Sequence, residues 1–349
     1  MLEIGPDKEC FIIAEISGNH AGKIENAVEL IRQAALSKAS AVKFQSYTAN
    51  SITLDSSGDD FKIPKGNSWE SYSTLYQLYQ TAQTPFEWIP ELFKAAEKFN
   101  IPIFASVFDA ESVQILEKFA PFAYKVASPE ASDFPLLKLL GETRRPVFIS
   151  TGLSTAADIY ESDRYLKKNG CPKVIWLKAN TAYPAPLLDV NLRTIDHLKG
   201  LTESSVGFSD HTIGTEIPIA AVALGADVIE KHLKLSDVAE SVDDFFSLTP
   251  LEFASMVSSI RNVEKALGKI SYDIPKSSLE NMNGKRSLYC VNTIKEGEVF
   301  TLQNVRSIRP SYGLPTQYFE KLMGSKSKRN LKIGDRIVLA DIDFKDSDE

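Results

Sequence analysis

Two patterns of apolar residues alternate along the first three quarters of the chain. Short continuous apolar runs are typical of buried β-strands, and longer segments with apolar residues every three to four positions are typical of helices. The short runs predict strands at 11–16, 41–45, 102–108, 122–127, 146–150, 174–177, 206–208 and 228–229. The longer segments predict helices at 24–36, 87–99, 110–119, 136–140, 156–169, 194–198, 216–224 and 253–267.

This alternation of strands and helices indicates a parallel sheet. No glycine-rich dinucleotide fingerprint follows the first strand, which disfavours an open doubly wound sheet. Eight strand-helix units in one domain favour a closed barrel. We therefore predict an α/β fold, a (β/α)8 TIM barrel, over residues 1–270.

The pattern changes after Gly268. Residues 271–285 are polar and include Pro275, which is typical of a linker. From 286 to 349 the apolar runs are short and are separated by turn-forming pairs such as Glu296-Gly297. We expect a small β-rich second domain there.

A long insertion, residues 48–84, separates the second strand from the next barrel helix. Loops of this length are usually functional or disordered. The insertion contains Trp69 and several tyrosines between Tyr72 and Tyr79, and these aromatic residues favour an ordered lid.

Composition narrows the classes of function. The 349 residues are 43% hydrophobic and 24% charged, which is ordinary for a globular protein. The net charge of −7 argues against binding to nucleic acid or to an anionic membrane surface. No apolar run approaches the ~18 residues of a membrane span. No signal-peptide pattern is visible, and the three cysteines are widely spaced, so we expect a cytoplasmic location.

Polar side chains stand at the predicted carboxyl end of nearly every strand, where TIM barrels carry their active sites. They are Glu15, Ser17, Asn19, His20, Lys43, Gln45, Ser106, Asp109, Lys125, Ser128, Ser150, Thr151, Lys178, Asn180, Thr181, Tyr183, Ser209, Asp210, His211, Glu230 and His232. Any one of these lysines or histidines would usually be a rim or structural residue. The functional interpretation depends on their convergence, since three of the four histidines in the chain occur at strand ends.

These residue types predict a particular chemistry. Neutral imidazoles from His211 and His232, with oxygen ligands, suit a divalent metal that polarises a carbonyl. Lys43 and Lys125 supply positive charge, and the hydroxyls of Ser106, Ser128 and Ser150 supply donors for a phosphate or carboxylate. Glu15 and Glu230 are candidates for general acid/base catalysis. The set fits a phosphorylated anion meeting a carbonyl compound, and the lack of a P-loop disfavours phosphoryl transfer from a nucleotide.

The chain resembles the sialic acid synthase family over almost its whole length, and within it the branch that makes pseudaminic acid. The resemblance is carried by Ser209-Asp210-His211-Thr212 and Glu230-Lys231-His232, together with the stretches at 13–20, 41–45, 84–88, 124–128, 150–152, 286–288 and 304–310. A match dispersed over two domains is more specific than any single motif.

The resemblance implies a barrel followed by a SAF (antifreeze-like) domain, in a domain-swapped homodimer. It implies condensation of phosphoenolpyruvate with an N-acylated amino sugar, for pseudaminic acid 2,4-diacetamido-2,4,6-trideoxy-altrose. It also implies a divalent metal on His211 and His232, typically Mn2+, with Mg2+ or Co2+ as alternatives. Glu15 and Glu230 fall on acid/base positions. The substrate-binding positions it implies are Lys43, Gln45, Ser106, Lys125, Ser128, Ser150, Thr181, Tyr183, Ser209, Asp243 and Arg309, the last reaching into the partner's active site.

Some residues near the substrates depart from the family pattern. Ser106 replaces a threonine, and Asn180-Thr181 replaces the usual residues after the sixth strand. These changes are consistent with an altered sugar specificity or a weak enzyme. Three alternatives stay open: a synthase for N-acetylneuraminate or legionaminate, a non-catalytic carbohydrate-binding relative and, more distantly, an aldolase that forms a Schiff base at Lys125. Chemical trapping with borohydride separates the last, because the metal route forms no covalent adduct.

Overall fold

The structure is a computed structural model that describes residues 3–5, 7–238 and 241–345. The chain divides into two compact units, residues 1–268 and 269–349. The strands of the first unit are β1 (Phe11–Glu15), β2 (Ala41–Ser46), β3 (Ile103–Val107), β4 (Tyr124–Val126), β5 (Val147–Ser150), β6 (Val174–Ala179), β7 (Ser205–Asp210) and β8 (Val228–His232). Its helices are α1 (Ile24–Leu36), α2 (Ala49–Ile52), α3 (Leu75–Ala82), α4 (Ile89–Lys98), α5 (Ala110–Glu117), α6 (Phe134–Glu142), α7 (Ala156–Lys168), α8 (Thr194–Thr202), α9 (Glu216–Ala223) and α10 (Pro250–Leu267).

The eight strands form a closed parallel barrel in sequence order, with β8 paired to β1. This topology confirms the predicted (β/α)8 TIM barrel. The strand ends differ slightly from the sequence prediction, most at β8, which is predicted to end at residue 229 and continues to His232. Helix α10 begins at Pro250, three residues before the predicted start, because Thr249 and Glu252 form a capping box there.

Side chains that alternate along the strands divide between two apolar layers. The barrel interior contains Ile13, Phe104, Phe148, Ile175, Leu177 and Val228. Residues of the opposite strand faces, such as Trp176 and Phe208, pack against the helices. Gly207 belongs to the interior layer, and a Cβ there would overlap the carbonyl oxygen of Val228. The missing side chain therefore lets β7 and β8 approach each other closely in this layer.

Register places the functional strand ends side by side. Glu15 on β1 pairs with Lys43 on β2 and with His232 on β8. Ser209 on β7 lies opposite Glu230 on β8. Because all eight strands are parallel, their carboxyl ends meet at one mouth of the barrel.

The second unit contains short antiparallel strands, as the sequence pattern predicts. Strands β9 (Ser287–Cys290), β10 (Val305–Ile308) and β11 (Leu314–Pro315) form one sheet, and β12 (Lys326–Ser327) pairs with β13 (Ile342–Asp343). A one-turn helix, α11 (Phe319–Leu322), lies between them. The core includes Leu288, Phe300 and Ile337. The segment predicted as a linker, 271–285, contains consecutive 3-10 turns over Lys276–Gly284.

Within the described ranges, none of the helices has the length and apolar character that crossing a membrane requires.

Candidate active site

A cavity of about 350 Å³ lies at the mouth formed by the strand ends. The insertion covers one side of it, with Trp69, Leu75 and Tyr79 among the lining residues. The cavity brings together thirteen sequence-predicted residues: Lys43, Gln45, Ser106, Lys125, Ser128, Ser150, Thr181, Tyr183, Ser209, His211, Glu230, His232 and Asp243. Glu15 lies behind this lining, against Lys43. Arg309 is exposed in the second unit.

Lys43 is buried between two carboxylates. Its ammonium contacts Glu15 Oε2 and lies 3.7 Å from Glu230 Oε1. It also donates to Ser106 Oγ at 3.0 Å. The serine that replaces the threonine of the family pattern therefore still gives Lys43 a hydroxyl partner. Burial alone would lower the pKa of Lys43, but Glu15 and Glu230 outweigh burial and raise it. Lys43 therefore stays charged in the barrel mouth.

The two carboxylate oxygens of Glu230 have different surroundings. Its Oε1 accepts from Ser209 Oγ at 2.9 Å. Burial would raise the pKa of Glu230, but the charges of Lys43 and Lys125 hold it below the usual value. Oε2 is buried and has no hydrogen-bond partner among the described residues. This carboxylate is ionised and has an oxygen available to accept a proton.

A second cationic corner is formed by Lys125. Its Nζ donates to Ser150 Oγ and to the carbonyl of Val126, both at 2.7 Å. Burial lowers the pKa of Lys125 to about 8, so it is mostly protonated at neutral pH. An anion bound here would raise this pKa again.

Beside Lys125, three small residues form a polar corner. The Gly152 N–H donates to Ser128 Oγ at 3.0 Å. A Cβ on Gly152 would overlap Thr181 Oγ1 and Ser128 Oγ, so glycine is required for these hydroxyls to converge. Thr181 Oγ1 is buried without a hydrogen-bond partner among the described residues. Hydroxyls and an ammonium group at one corner suit the oxygens of a phosphate or carboxylate.

The two predicted metal ligands lie next to each other. The ring centroids of His211 and His232 are 5.6 Å apart. His211 Nδ1 lies 2.7 Å from the carbonyl oxygen of Asn180. A carbonyl can only accept, so Nδ1 carries the proton and Nε2 keeps its lone pair. Burial lowers the pKa of both imidazoles, that of His232 further, so both are neutral near pH 7.

These neutral imidazoles fit a divalent metal ion. His232 Nδ1 is buried and has no hydrogen-bond partner in the part of the chain described. No group of three or more His, Cys, Asp or Glu side chains in that part is arranged to hold a metal. The chain therefore offers two nitrogen ligands, and substrate or water oxygens would complete the coordination.

Asp243 closes the cavity beside His232. Its Oδ2 lies 3.7 Å from His232 Nδ1. Burial raises the pKa of Asp243 to about 8, with a further contribution from Glu15. Gly18, with φ of +71°, makes room for this carboxyl, because a Cβ at Gly18 would lie 2.6 Å from Asp243 Oδ2.

On the outer face of the barrel, Lys231 and Asp210 form an ion pair directly behind the histidines. Both side chains are fully buried, and Lys231 Nζ lies 2.6 Å from Asp210 Oδ2. Lys231 also contacts the carbonyl of Thr212, and Asp210 Oδ1 accepts from the Thr212 N–H at 2.9 Å. Burial lowers the pKa of Lys231, and Asp210 offsets this only in part. The pair thus links the carboxyl ends of β7 and β8 on the outer face of the barrel.

Sequence reasoning missed Glu130, which follows β4 in a loop. Its Oε2 is buried without a hydrogen-bond partner in the described residues. Burial raises the pKa of Glu130 to about 7, and the nearby charge of Lys125 opposes that rise. The available signal was an acidic residue two positions after Ser128 at a strand end.

Other strand-end residues have structural roles. His20 packs edge-on against Trp88 and accepts from the Gly22 N–H, outside the cavity lining. Asp109 caps α5 through the Ser112 N–H. Lys178 donates to the carbonyl of Ala179 and also lies outside the lining.

Comparison with known proteins adds the family context. The sequence pattern of the NeuB family matches residues 30–272, and that of the SAF domain matches residues 285–343. A pseudaminic acid synthase from Campylobacter jejuni is 42% identical over 96% of this chain and 97% of that protein. An N,N'-diacetyllegionaminic acid synthase from the same species is 35% identical over 93% of this chain and 98% of that protein.

Among solved structures, an N-acetylneuraminic acid (sialic acid) synthetase from Leptospira borgpetersenii serovar Hardjo-bovis, in complex with citrate, gives a TM-score of 0.70. It is 30% identical and covers 80% of this chain and 93% of its own.

The buried ion pair gives a stability prediction. Lys231→Met leaves Asp210 charged and unpaired, so the free energy of unfolding should fall by about 3–5 kcal/mol in urea titrations. The double variant Lys231→Met/Asp210→Leu should recover much of this loss. Lys62→Met breaks an exposed pair with Asp59 and serves as control, with a loss below ~1 kcal/mol. Equal losses in the single and double variants would contradict the expected coupling.

Glu130 gives a prediction about pH. Its folded pKa of about 7 exceeds the ordinary 4.5, so the folded state holds a proton that the unfolded state has lost between these values. Deprotonation in the unfolded state therefore lowers the free energy of unfolding as pH rises from about 4.5 to about 7. In wild type we expect Glu130 to cause a loss on the order of 2–3 kcal/mol across this window, and Glu130→Gln should remove that loss in urea titrations at each pH. The exposed Glu97→Gln is the control; parallel stability curves for wild type and Glu130→Gln would refute the assignment.

Proposed function

Because the chain belongs to the NeuB family and ends in a SAF domain, we propose that it is a pseudaminic acid synthase. The reaction condenses phosphoenolpyruvate with 2,4-diacetamido-2,4,6-trideoxy-altrose and releases pseudaminic acid and phosphate. One observation carries the proposal: a single cavity places two buried lysines and several hydroxyls beside two neutral imidazoles. The 42% identity to a pseudaminic acid synthase supports the choice of sugar.

Phosphoenolpyruvate binds on the side of the cavity formed by β2 to β6. Lys43 and Lys125 neutralise its phosphate and carboxylate. Ser106 and Ser150 already contact these two ammonium groups, which fixes the direction of each. Thr181 Oγ1 donates to a phosphate oxygen, giving this orphan hydroxyl a partner. Binding here leaves the enol carbon directed toward the histidines.

The sugar aldehyde binds next to His211 and His232. Carbon 3 of phosphoenolpyruvate attacks the aldehyde carbon, forming the new C–C bond and leaving a cation at carbon 2 and an alkoxide at the former aldehyde oxygen. Water then adds to carbon 2 and gives one proton to Glu230 Oε2, which has no other partner among the described residues and passes the proton to the alkoxide. The C–O bond to phosphate breaks last, and the hydroxyl on carbon 2 gives its proton to the departing phosphate, leaving a ketone at carbon 2. Glu15 keeps Lys43 charged throughout the reaction and shares the acid/base role with Glu230.

A divalent metal, Mn2+ in this proposal, would be held by His211 and His232. When bound, it supplies Lewis-acid polarisation of the aldehyde. The chain contributes by keeping both imidazoles neutral and by fixing the His211 tautomer through Asn180.

The proposal includes a domain-swapped homodimer. Arg309 is exposed on the small domain, where it is free to reach the sugar of another copy. It also includes a cytoplasmic location, which the three buried, free cysteines support.

The reaction is tested by phosphate release and product mass, with phosphoenolpyruvate, Mn2+ and a panel of N-acylated sugars. We expect fastest turnover with 2,4-diacetamido-2,4,6-trideoxy-altrose. In water labelled with 18O, label should enter the product at carbon 2 and be absent from phosphate, because the C–O bond breaks. A preference for a neuraminate or legionaminate precursor would favour a sister synthase. No phosphate release with any sugar would favour a non-catalytic relative, and borohydride trapping at Lys125 would favour a Schiff-base aldolase.

The histidine pair is tested by His211→Ala and His232→Ala. Each should abolish turnover and weaken Mn2+ binding, measured calorimetrically, by at least about 10-fold, while circular dichroism remains that of wild type. His197→Ala, an exposed histidine on α8, is the matched control and should behave as wild type. Full activity of either site variant, or of wild type in chelator, would refute the metal assignment.

A further inference from the structure

The insertion carries a lid, residues 53–74, that joins α2 to α3 across the cavity. Two side chains fasten it to the loops beside the histidines. Trp69 Nε1 donates to the carbonyl of Val242 at 2.9 Å, and Ser68 Oγ donates to the carbonyl of Tyr183 at 2.6 Å. Val242 directly precedes Asp243 in the active site. The lid is therefore tied to the same loops that shape the sugar side of the cavity.

Trp69 is one of four lid residues that line the cavity, with Ile63, Pro64 and Asn67. Every residue from 64 to 70 is exposed except Trp69, which is half-buried. Its ring centroid lies 5.2 Å from that of Tyr183 and 6.0 Å from that of Phe245. Because its N–H is already bonded to Val242, the indole presents carbon atoms alone to a ligand.

The lid and α3 contribute a mainly apolar part of the cavity lining. Its apolar members are Ile63, Pro64, Trp69, Leu75, Leu78 and Ala82, and its polar members are Asn67 and Tyr79. The basic lining residues Lys43 and Lys125 lie instead on strands β2 and β4. The Tyr183 ring lies between Trp69 and the histidines, with its centroid 5.2 Å from that of Trp69 and 4.4 Å from that of His211. A sugar whose aldehyde is at the histidines thus extends past Tyr183 toward Trp69.

We propose that Trp69 is a specificity-determining residue that selects a sugar with a methyl group at carbon 6 over one with a hydroxymethyl group. The inference rests on the proposed function, which supplies a 6-deoxy sugar. A methyl group against the indole is removed from water without loss of a hydrogen bond. A hydroxyl in the same place loses its hydrogen bond to water and finds no partner on the ring.

The test compares kcat/KM for 2,4-diacetamido-2,4,6-trideoxy-altrose and for its 6-hydroxy counterpart. Apolar pockets discriminate against an added hydroxyl by up to about 100-fold, so we expect a wild-type preference of about 10- to 100-fold for the 6-deoxy sugar. Trp69→Ala should reduce it below about 3-fold, and Trp69→Phe, which keeps an apolar ring, should retain most of it. KM for phosphoenolpyruvate should stay within about 2-fold of wild type in both variants, because the basic side of the cavity is untouched.

Lys65→Ala, an exposed lid substitution, is the matched control and should keep the wild-type preference. An unchanged preference in Trp69→Ala, or no preference in wild type, overturns the inference while leaving the synthase proposal intact. If wild type turns over neither sugar, the proposed function fails. The role of Trp69 is then tested by calorimetric binding of the two corresponding alditols: wild type should prefer the 6-deoxy alditol, and Trp69→Ala should lose that preference.

Discussion

The active site depends on keeping a lysine charged inside the barrel mouth. Lys43 is buried, and an ammonium group in such surroundings ordinarily loses its proton. Two carboxylates, Glu15 on β1 and Glu230 on β8, reverse that tendency. Since β1 pairs with both β2 and β8, these three charges also join three neighbouring strands. In the proposed function Lys43 binds the anionic substrate, so the same ammonium group serves both binding and fold.

Charges on the opposite face of the sheet complete the arrangement. Alternation along β8 directs Glu230 and His232 into the cavity and Lys231 outward. Lys231 meets Asp210, the residue just before His211, in a fully buried pair. Each histidine thus directly follows one member of this ion pair, His211 after Asp210 and His232 after Lys231. We interpret it as the constraint that keeps the two imidazoles adjacent before any ligand binds.

The cavity has two chemically different sides, and this division matches the two substrates of the proposed reaction. The basic, hydroxyl-rich side suits a small dianion, whereas the apolar side under the lid suits an N-acylated deoxy sugar. The histidines lie at the junction, where the carbon atoms to be joined would meet.

The sequence by itself determined the eight-stranded barrel, the β-rich second unit and most residues of the site, because strand periodicity and parallel strand ends are local properties. Tertiary structure alone decided that Asp210 pairs with Lys231, that Glu130 is buried near Lys125, and that Trp69 lines the cavity. These features depend on contacts between residues far apart in the chain, and neither residue type nor spacing specifies such contacts.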